Sequence, residues 1–268
     1  MCATWCCLQV RGRFEKRRKQ KGERRNALRG TSLILLLRMD FSFLLSDFSF
    51  QYRAFSFLIS PFSFQKKILV KTAIVQYNAG NICSVINALR RIGVEPIVTS
   101  NPEEIMSADR VIFPGQGEAA TTIAHLKRSG LDRVIKELRQ PVLGICIGQQ
   151  LLCEHSDEGD TPCLNVFEGS RVQKFVAPEG VNLKVPHMGW NTIENTRSPL
   201  FKDLAPDSYV YFVHSFYAPV CEWTIAETNY GGIPFSAAMR RDNFFATQFH
   251  PEKSGVVGEQ ILTNFMTI

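Results

Sequence analysis

The chain has 268 residues, 45% apolar and 21% charged. That is enough for one large domain or two small ones, and it excludes a collagen, a disulfide-stapled miniprotein and a wholly disordered chain. The formal charge of +6 is unevenly placed: residues 1–67 hold fourteen Lys and Arg against four Asp and Glu, while the other 201 hold 17 against 21. The basic excess belongs to the N-terminal segment and the body is mildly acidic, so net charge gives no ground for a nucleic-acid partner.

Residues 1–67 read as an extension. Cys2, Cys6 and Cys7 precede a basic run over residues 11–29, and the apolar stretch 33–37, interrupted by Arg38, is far too short to span a bilayer. The order of elements does not fit a secretory signal, and Glu15 and Glu23 speak against a transit peptide. Phe-Ser-Phe then recurs at Phe41, Phe48, Phe55 and Phe62, a strict period of seven. Phe-x-Phe pairs do not build the alternating three-four seam of a coiled coil. The preferred reading is a tandem repeat translated in frame upstream of the true start. The alternatives are a genuine, poorly ordered extension and, third, an anchor or targeting segment. The expected domains are thus 1–67 and 68–268.

From Ile68 strands and helices alternate. KILVKTAIVQY (67–77) is a β-branched run ending in the polar turn NAGN. SVINALRRIG (84–93) has helical spacing, with Gly93 as its C-cap. EPIVTS (95–100) is a short strand, and NPEEIMSA (101–108) a short helix introduced by Asn101 and Pro102. DRVIFPG (109–115) is a buried strand entering a glycine turn. Residues 121–140 supply two helical pieces broken at Gly130, PVLGICIG (141–148) is a strand breaking into a turn, and QQLLCEH (149–155) continues as helix. Beyond it, segments 169–176, 183–193, 208–219, 223–230 and 235–252 read as strands and 255–268 as a closing helix. The expected architecture is α/β: a three-layer, open, mostly parallel sheet with helices on both faces, extended by antiparallel strands. In such sheets chemistry gathers at the carboxyl ends of the strands.

Three motifs fall there. Gly144-Ile145-Cys146-Ile147-Gly148 sets a cysteine between glycines at a strand-to-helix junction, the arrangement of a nucleophile elbow with Cys in place of Ser. The helix start favours a thiolate, and the Ile147 N–H faces the place where an oxyanion would form. Taken alone, the pentapeptide fits a buried core cysteine equally well. Gln248-Phe249-His250-Pro251-Glu252-Lys253 ends a strand in a histidine followed two residues later by a carboxylate, a base and its orienting acceptor. Taken alone, it reads as a surface pair. Pro114-Gly115-Gln116-Gly117 is a turn able to present an N–H to a ligand. Gly115, Gly117 and Ala120 also match a dinucleotide fingerprint, a reading rejected because the proline interposes and the strand is not the first of the fold.

Together the motifs resemble the class I, or triad, glutamine amidotransferases, over roughly residues 68–268. NAGN, PHMGWN (186–191), YFVHSFY (211–217) and QFHPEKSG (248–255) narrow the resemblance to the glutaminase subunits of imidazole glycerol phosphate synthases. The chain departs from that pattern at Gln76 to Asn78, where Asp-Tyr-Gly is usual, at Ile147 and Gln149, where Leu and Met are usual, and at Gln116, where Val often stands. The resemblance implies Cys146 as nucleophile, His250 as base and then acid, and Glu252 as its orienting carboxylate. It implies Gln116 and Ile147 as oxyanion donors, and Gln150 and Glu158 as holders of the amino-acid end of glutamine. It further implies a (β/α)8-barrel cyclase partner that consumes the ammonia and makes imidazole glycerol phosphate and aminoimidazole carboxamide ribotide in histidine biosynthesis. Asn78, Asn81, Trp190, Tyr211 and Lys253 fall on motifs of the docking face, although Trp190 and Tyr211 fit a core equally. No cofactor is implied.

His187 and His214 read as structural or interfacial. Cys146, Cys153, His155 and Cys163 match no common zinc spacing, so no metal is expected. Cys83, Cys153, Cys163 and Cys221 read as reduced thiols of a cytoplasmic protein. The competing readings are an amidotransferase of another pathway, a cysteine peptidase of related fold and a non-catalytic scaffold.

Overall fold

A computed structural model describes residues 70–77, 82–115 and 117–268. The extension and repeat expected over residues 1–67, together with Asn78, Asn81 and Gln116, lie outside the described residues. In chain order the elements begin β1 (Thr72–Val75), α1 (Ile82–Arg91), β2 (Ile97–Thr99), α2 (Pro102–Met106), β3 (Arg110–Phe113), α3 (Ala119–Ser129), α4 (Leu131–Glu137), β4 (Val142–Ile145) and α5 (Ile147–Leu152). There follow β5 (Cys153–Ser156), β6 (Thr161–Pro162), β7 (Phe167–Lys174), β8 (His187–Thr192), β9 (Tyr209–His214) and β10 (Phe216–Tyr217). The chain closes with β11 (Thr224–Tyr230), β12 (Ile233–Arg241), β13 (Phe244–Thr247) and α6 (Gly255–Phe265).

The local signals in the first half act as the sequence predicts. The Asn101 side chain accepts from the Glu103 N–H and caps α2, with Pro102 in the first turn. Gly130 separates α3 from α4 at φ 72°, in the left-handed region where a side chain is costly.

Seven strands form the main sheet in the order β11-β12-β13-β4-β3-β1-β2. The five from β13 to β2 are mutually parallel, while β12 and β11 continue the edge antiparallel. The central strands alternate their side chains between two cores. Ile74, Ile112, Leu143 and Ile145 pack with Val85 and Leu89 of α1 and Ile261, Leu262 and Phe265 of α6. Val75, Val111, Phe113 and Val142 pack on the other face with residues of α2 through α5, including Ile105, Ile123, Leu126, Ile135 and Leu151. Burial on both faces explains why these strands read as unbroken apolar runs.

Three differences from the expected pattern concern the later part of the chain. The helix expected through His155 stops at Leu152, because Cys153–Ser156 is strand β5, paired parallel to β7 and antiparallel to β6. Long-range pairing that buries Cys153 and Ser156 overrides the local helical spacing. Nor do all later strands extend the main sheet. β10-β7-β5-β6 make a separate four-stranded sheet and β8 with β9 a two-stranded ribbon. The long segment 235–252 is itself a hairpin, β12 and β13, turning at Asp242 with φ 51°.

Candidate active site

β4 lies at the centre of the sheet and delivers Cys146 to its carboxyl edge. Cys146 has φ 54° and ψ −108°, a strained conformation for a side-chain-bearing residue. The strain is held by close packing on either side. A Cβ at Gly148 would lie 2.3 Å from the Phe113 carbonyl oxygen, and one at Gly144 would lie 2.9 Å from Leu152 Cδ1. Both glycines are therefore required by approach of β3 and α5, as the elbow reading expects. The Ile147 N–H is the first of α5, where a helix has no internal acceptor to offer it. Gly115, after β3, abuts the same spot: a Cβ there would fall 1.9 Å from Ile147 Cγ2.

β13 is the parallel neighbour of β4, with Thr247 paired to Ile145. Three residues on, His250 reaches the same edge, and its side chain is 2% exposed. Its Nδ1 lies 2.7 Å from Glu252 Oε1, so the carboxylate fixes the ring and its tautomer. The second carboxylate oxygen, Glu252 Oε2, is buried with no hydrogen-bond partner among the described residues. His250 Nε2 is also buried without a formed hydrogen bond. Burial lowers the proton affinity of the ring, but the Cys146 sulfur and the Glu252 carboxylate outweigh it and raise the pKa to about 9. The loop is held from β9: the His250 N–H donates to the Tyr211 carbonyl at 2.9 Å, and Ser254 Oγ donates to the His250 carbonyl at 2.7 Å.

Cys146, His250, Ile147, Gln150, Glu158 and Lys253 line one cavity of about 460 Å³, with Gly115 and Gly117 on its wall. Gln150 is buried and donates from Nε2 to the Phe216 carbonyl at 2.9 Å and to Gln248 Oε1 at 3.0 Å. Glu158 Oε2 accepts from the Ala119 N–H at 2.8 Å. Partial burial raises its carboxyl above the usual range, against the pull of that bond. His214 also lines the cavity and pairs with His187, ring nitrogen to ring nitrogen, at 3.1 Å. Burial lowers both, His187 to about 4 and His214 to about 3, so the pair is neutral.

Of the residues read as docking anchors, Trp190 is 55% exposed on β8 and stands opposite Tyr211 of β9, their rings 6.0 Å apart edge to face. Trp190 is therefore a surface residue and not core. Sequence reasoning passed over two supports of the site. The Tyr77 hydroxyl, after β1, donates to the Pro114 carbonyl and ties the first strand to the glycine turn. Gln248, fully buried, points Nε2 at Cys146 Sγ from 3.7 Å. The signal for Gln248 is its place two residues before the histidine, and for Tyr77 its place between Gln76 and Asn78, where it keeps the tyrosine of the usual Asp-Tyr-Gly. Among the described residues no cluster of three His, Cys, Asp or Glu could hold a metal ion.

A thiol on a strained strand-helix elbow, beside an imidazole steered by a buried carboxylate, is an arrangement with which an α/β enzyme can attack an acyl or amide carbon. The profile of the family described as glutamine amidotransferase class-I matches residues 73–268. The imidazole glycerol phosphate synthase subunit HisH of Bacteroides thetaiotaomicron is 59% identical over 199 residues, covering 74% of this chain and 100% of that protein. Its counterpart from Neisseria meningitidis serogroup B is 45% identical over 212 residues, covering 74% and 99%. In fold, the chain is similar to a crystal structure of a glutamine amidotransferase, with TM-score 0.55, 20% identity and coverage of 73% and 97%. It is likewise similar to PurLQS from Thermotoga maritima, with TM-score 0.54, 13% identity and coverage of 74% and 98%. The chain belongs to the class-I glutamine amidotransferases and, within them, to the HisH subunits of imidazole glycerol phosphate synthase.

Proposed function

We propose that residues 68–268 form the catalytic domain and hydrolyse glutamine to glutamate and ammonia through a thioester on Cys146. The Cys146 sulfur, having given its proton to His250, adds to the side-chain amide carbon. The oxyanion so formed faces the N–H of Ile147 and the glycine turn that includes Gln116. Collapse of this adduct breaks the carbon–nitrogen bond, and protonated His250 supplies the proton that lets ammonia leave. His250 then takes a proton from water, which attacks the thioester and frees glutamate and the thiol. Glu252 stabilises the imidazolium in both halves, while Gln150 and Glu158 hold the amino-acid end of the substrate, Gln150 meeting its α-ammonium.

Ammonia released into bulk water becomes ammonium and loses its nucleophilicity. The reading therefore includes a (β/α)8-barrel cyclase seated over the site, which takes the ammonia and forms imidazole glycerol phosphate and aminoimidazole carboxamide ribotide. The names of the relatives support the pathway, and the exposed Trp190 beside Tyr211 supports a docking face there. Lys253, on the cavity wall, belongs to that proposed face, and by resemblance alone Asn78 and Asn81 are assigned to docking. Among the described residues no helix is long and apolar enough to cross a membrane, and the unpaired thiols of Cys153 and Cys163 fit a cytoplasmic enzyme.

The observation that carries the reading is the buried His250–Glu252 pair beside a cysteine at a positive φ. It is tested in the complex with the cyclase by Cys146→Ala. Glutamine-driven synthesis is lost and synthesis from ammonium salts persists. Loss of both would make Cys146 a structural residue.

A further inference from the structure

We propose that Gln248 is a positioning residue: it fixes the Gln150 amide so that an oxygen acceptor faces the substrate's α-ammonium, and it thereby sets selectivity for glutamine over analogues that lack that group. The inference rests on the reading of Gln150 as the residue that holds the α-amino end.

The orientation of these two amides follows from one fixed point. The Phe216 main-chain carbonyl only accepts, and it lies 2.9 Å from one end of the Gln150 amide, which must therefore be the NH2. That carbonyl is itself anchored, since His214 Nδ1 lies 2.7 Å from it. The same Gln150 nitrogen lies 3.0 Å from Gln248 Oε1. An amide NH2 has two hydrogens, and both now have acceptors. Its oxygen is then the polar atom that Gln150 can offer to the cavity it lines. With its own oxygen on Gln150, Gln248 turns its NH2 toward Cys146 Sγ at 3.7 Å.

Gln248 suits this role because it cannot move. It is wholly buried, and its N–H donates to the Ala237 carbonyl at 2.8 Å. An ammonium has donors only, so it is met by an oxygen and repelled by an N–H. Without Gln248, one Gln150 hydrogen is unspent, and the amide is free to swing about its bond to Phe216 and turn that hydrogen into the cavity. Selectivity for the α-ammonium falls as a result.

The test compares kcat/KM for glutamine with kcat/KM for 5-amino-5-oxopentanoate, which is glutamine without its α-amino group, in the complex with the cyclase. The ratio of the two is independent of how much of the enzyme is folded. Gln248→Met, which can neither accept from Gln150 nor donate, lowers the ratio about tenfold, and Gln248→Leu is the second variant should methionine pack poorly. Gln248→Glu, whose carboxylate still accepts from Gln150, keeps the ratio within about threefold of the native value. Gln150→Leu also lowers it. A ratio that survives Gln248→Met and Gln248→Leu while Gln150→Leu lowers it overturns the proposal alone, as does an equal loss in Gln248→Glu. A ratio that survives Gln150→Leu overturns the reading of Gln150 on which the proposal rests.

Discussion

The main-chain N–H of Cys146 donates to the Thr247 carbonyl at 2.7 Å. This bond ties the end of β4, where the sulfur sits, to the end of β13, three residues before His250. Cys146 and His250 are 104 positions apart in the chain, yet the two strands that carry them are parallel neighbours in register. The relative placement of sulfur and ring is therefore set by sheet hydrogen bonds and owes little to loop flexibility.

The raised pKa of His250, about 9, has a stated sign. A histidine whose folded pKa lies above its unfolded value of about 6.5 stabilises the fold fully below that value, and the stabilisation is lost as pH rises through about 9. In the proposed mechanism the protonated ring is also the acid that releases ammonia, so kcat/KM for glutamine is expected to fall on the alkaline side near pH 9. Glu252→Gln removes one of the two groups that raise the ring. It moves the alkaline limb to lower pH and reduces kcat by about 100-fold or more. A pH–rate profile of both proteins checks this, and an unmoved limb would mean that Glu252 does not act on His250.

Gly148→Ala would place a Cβ 2.3 Å from the Phe113 carbonyl oxygen, main chain against main chain, where no side chain can yield. The expected cost is about 1–3 kcal/mol of unfolding free energy, with activity lost at temperatures where the fold survives because the elbow is displaced. Urea unfolding beside a glutaminase assay reads both effects. An unchanged midpoint would show that the elbow is not tightly packed.

The neutral pair His187 and His214 makes a prediction of opposite sign. Folded pKa values of about 4 and about 3 lie below the unfolded value, so their contribution is complete above about pH 6.5 and is lost as pH falls through the folded values. Between pH 7 and pH 5 the loss is about 2 kcal/mol for His214 and no more than that for His187, whose folded value lies nearer the unfolded one. The ring-carbon NMR shifts of His214 are expected to stay those of a neutral imidazole down to pH 5. An imidazolium signal at pH 6 would contradict the burial argument.

Much of the site was legible in the sequence because its requirements are local. Gly144 and Gly148 around Cys146, and Glu252 two residues after His250, are spacings that any reader of the chain sees. The parallel sheet was legible from apolar runs ending in glycine turns. What local pattern does not carry is pairing at long range. Cys153–Ser156 continues a helical spacing but is drawn into a sheet with Phe167–Lys174. The strands after residue 167 divide among three sheets on the strength of partners far away in the chain. Gln248 reads as one polar residue in a motif. Its contacts to Gln150 and Cys146 exist only once β13 lies against β4.

The central claim is that the Cys146 sulfur is the nucleophile and that His250 activates it. The most direct measurement is mass spectrometry of the full chain after exposure to a glutamine analogue bearing an electrophilic carbon in place of the side-chain amide. The account predicts one adduct, on Cys146, formed in the native protein and slowed about 100-fold or more in His250→Ala. An adduct on another cysteine, or one on Cys146 that forms at an undiminished rate without His250, would contradict it.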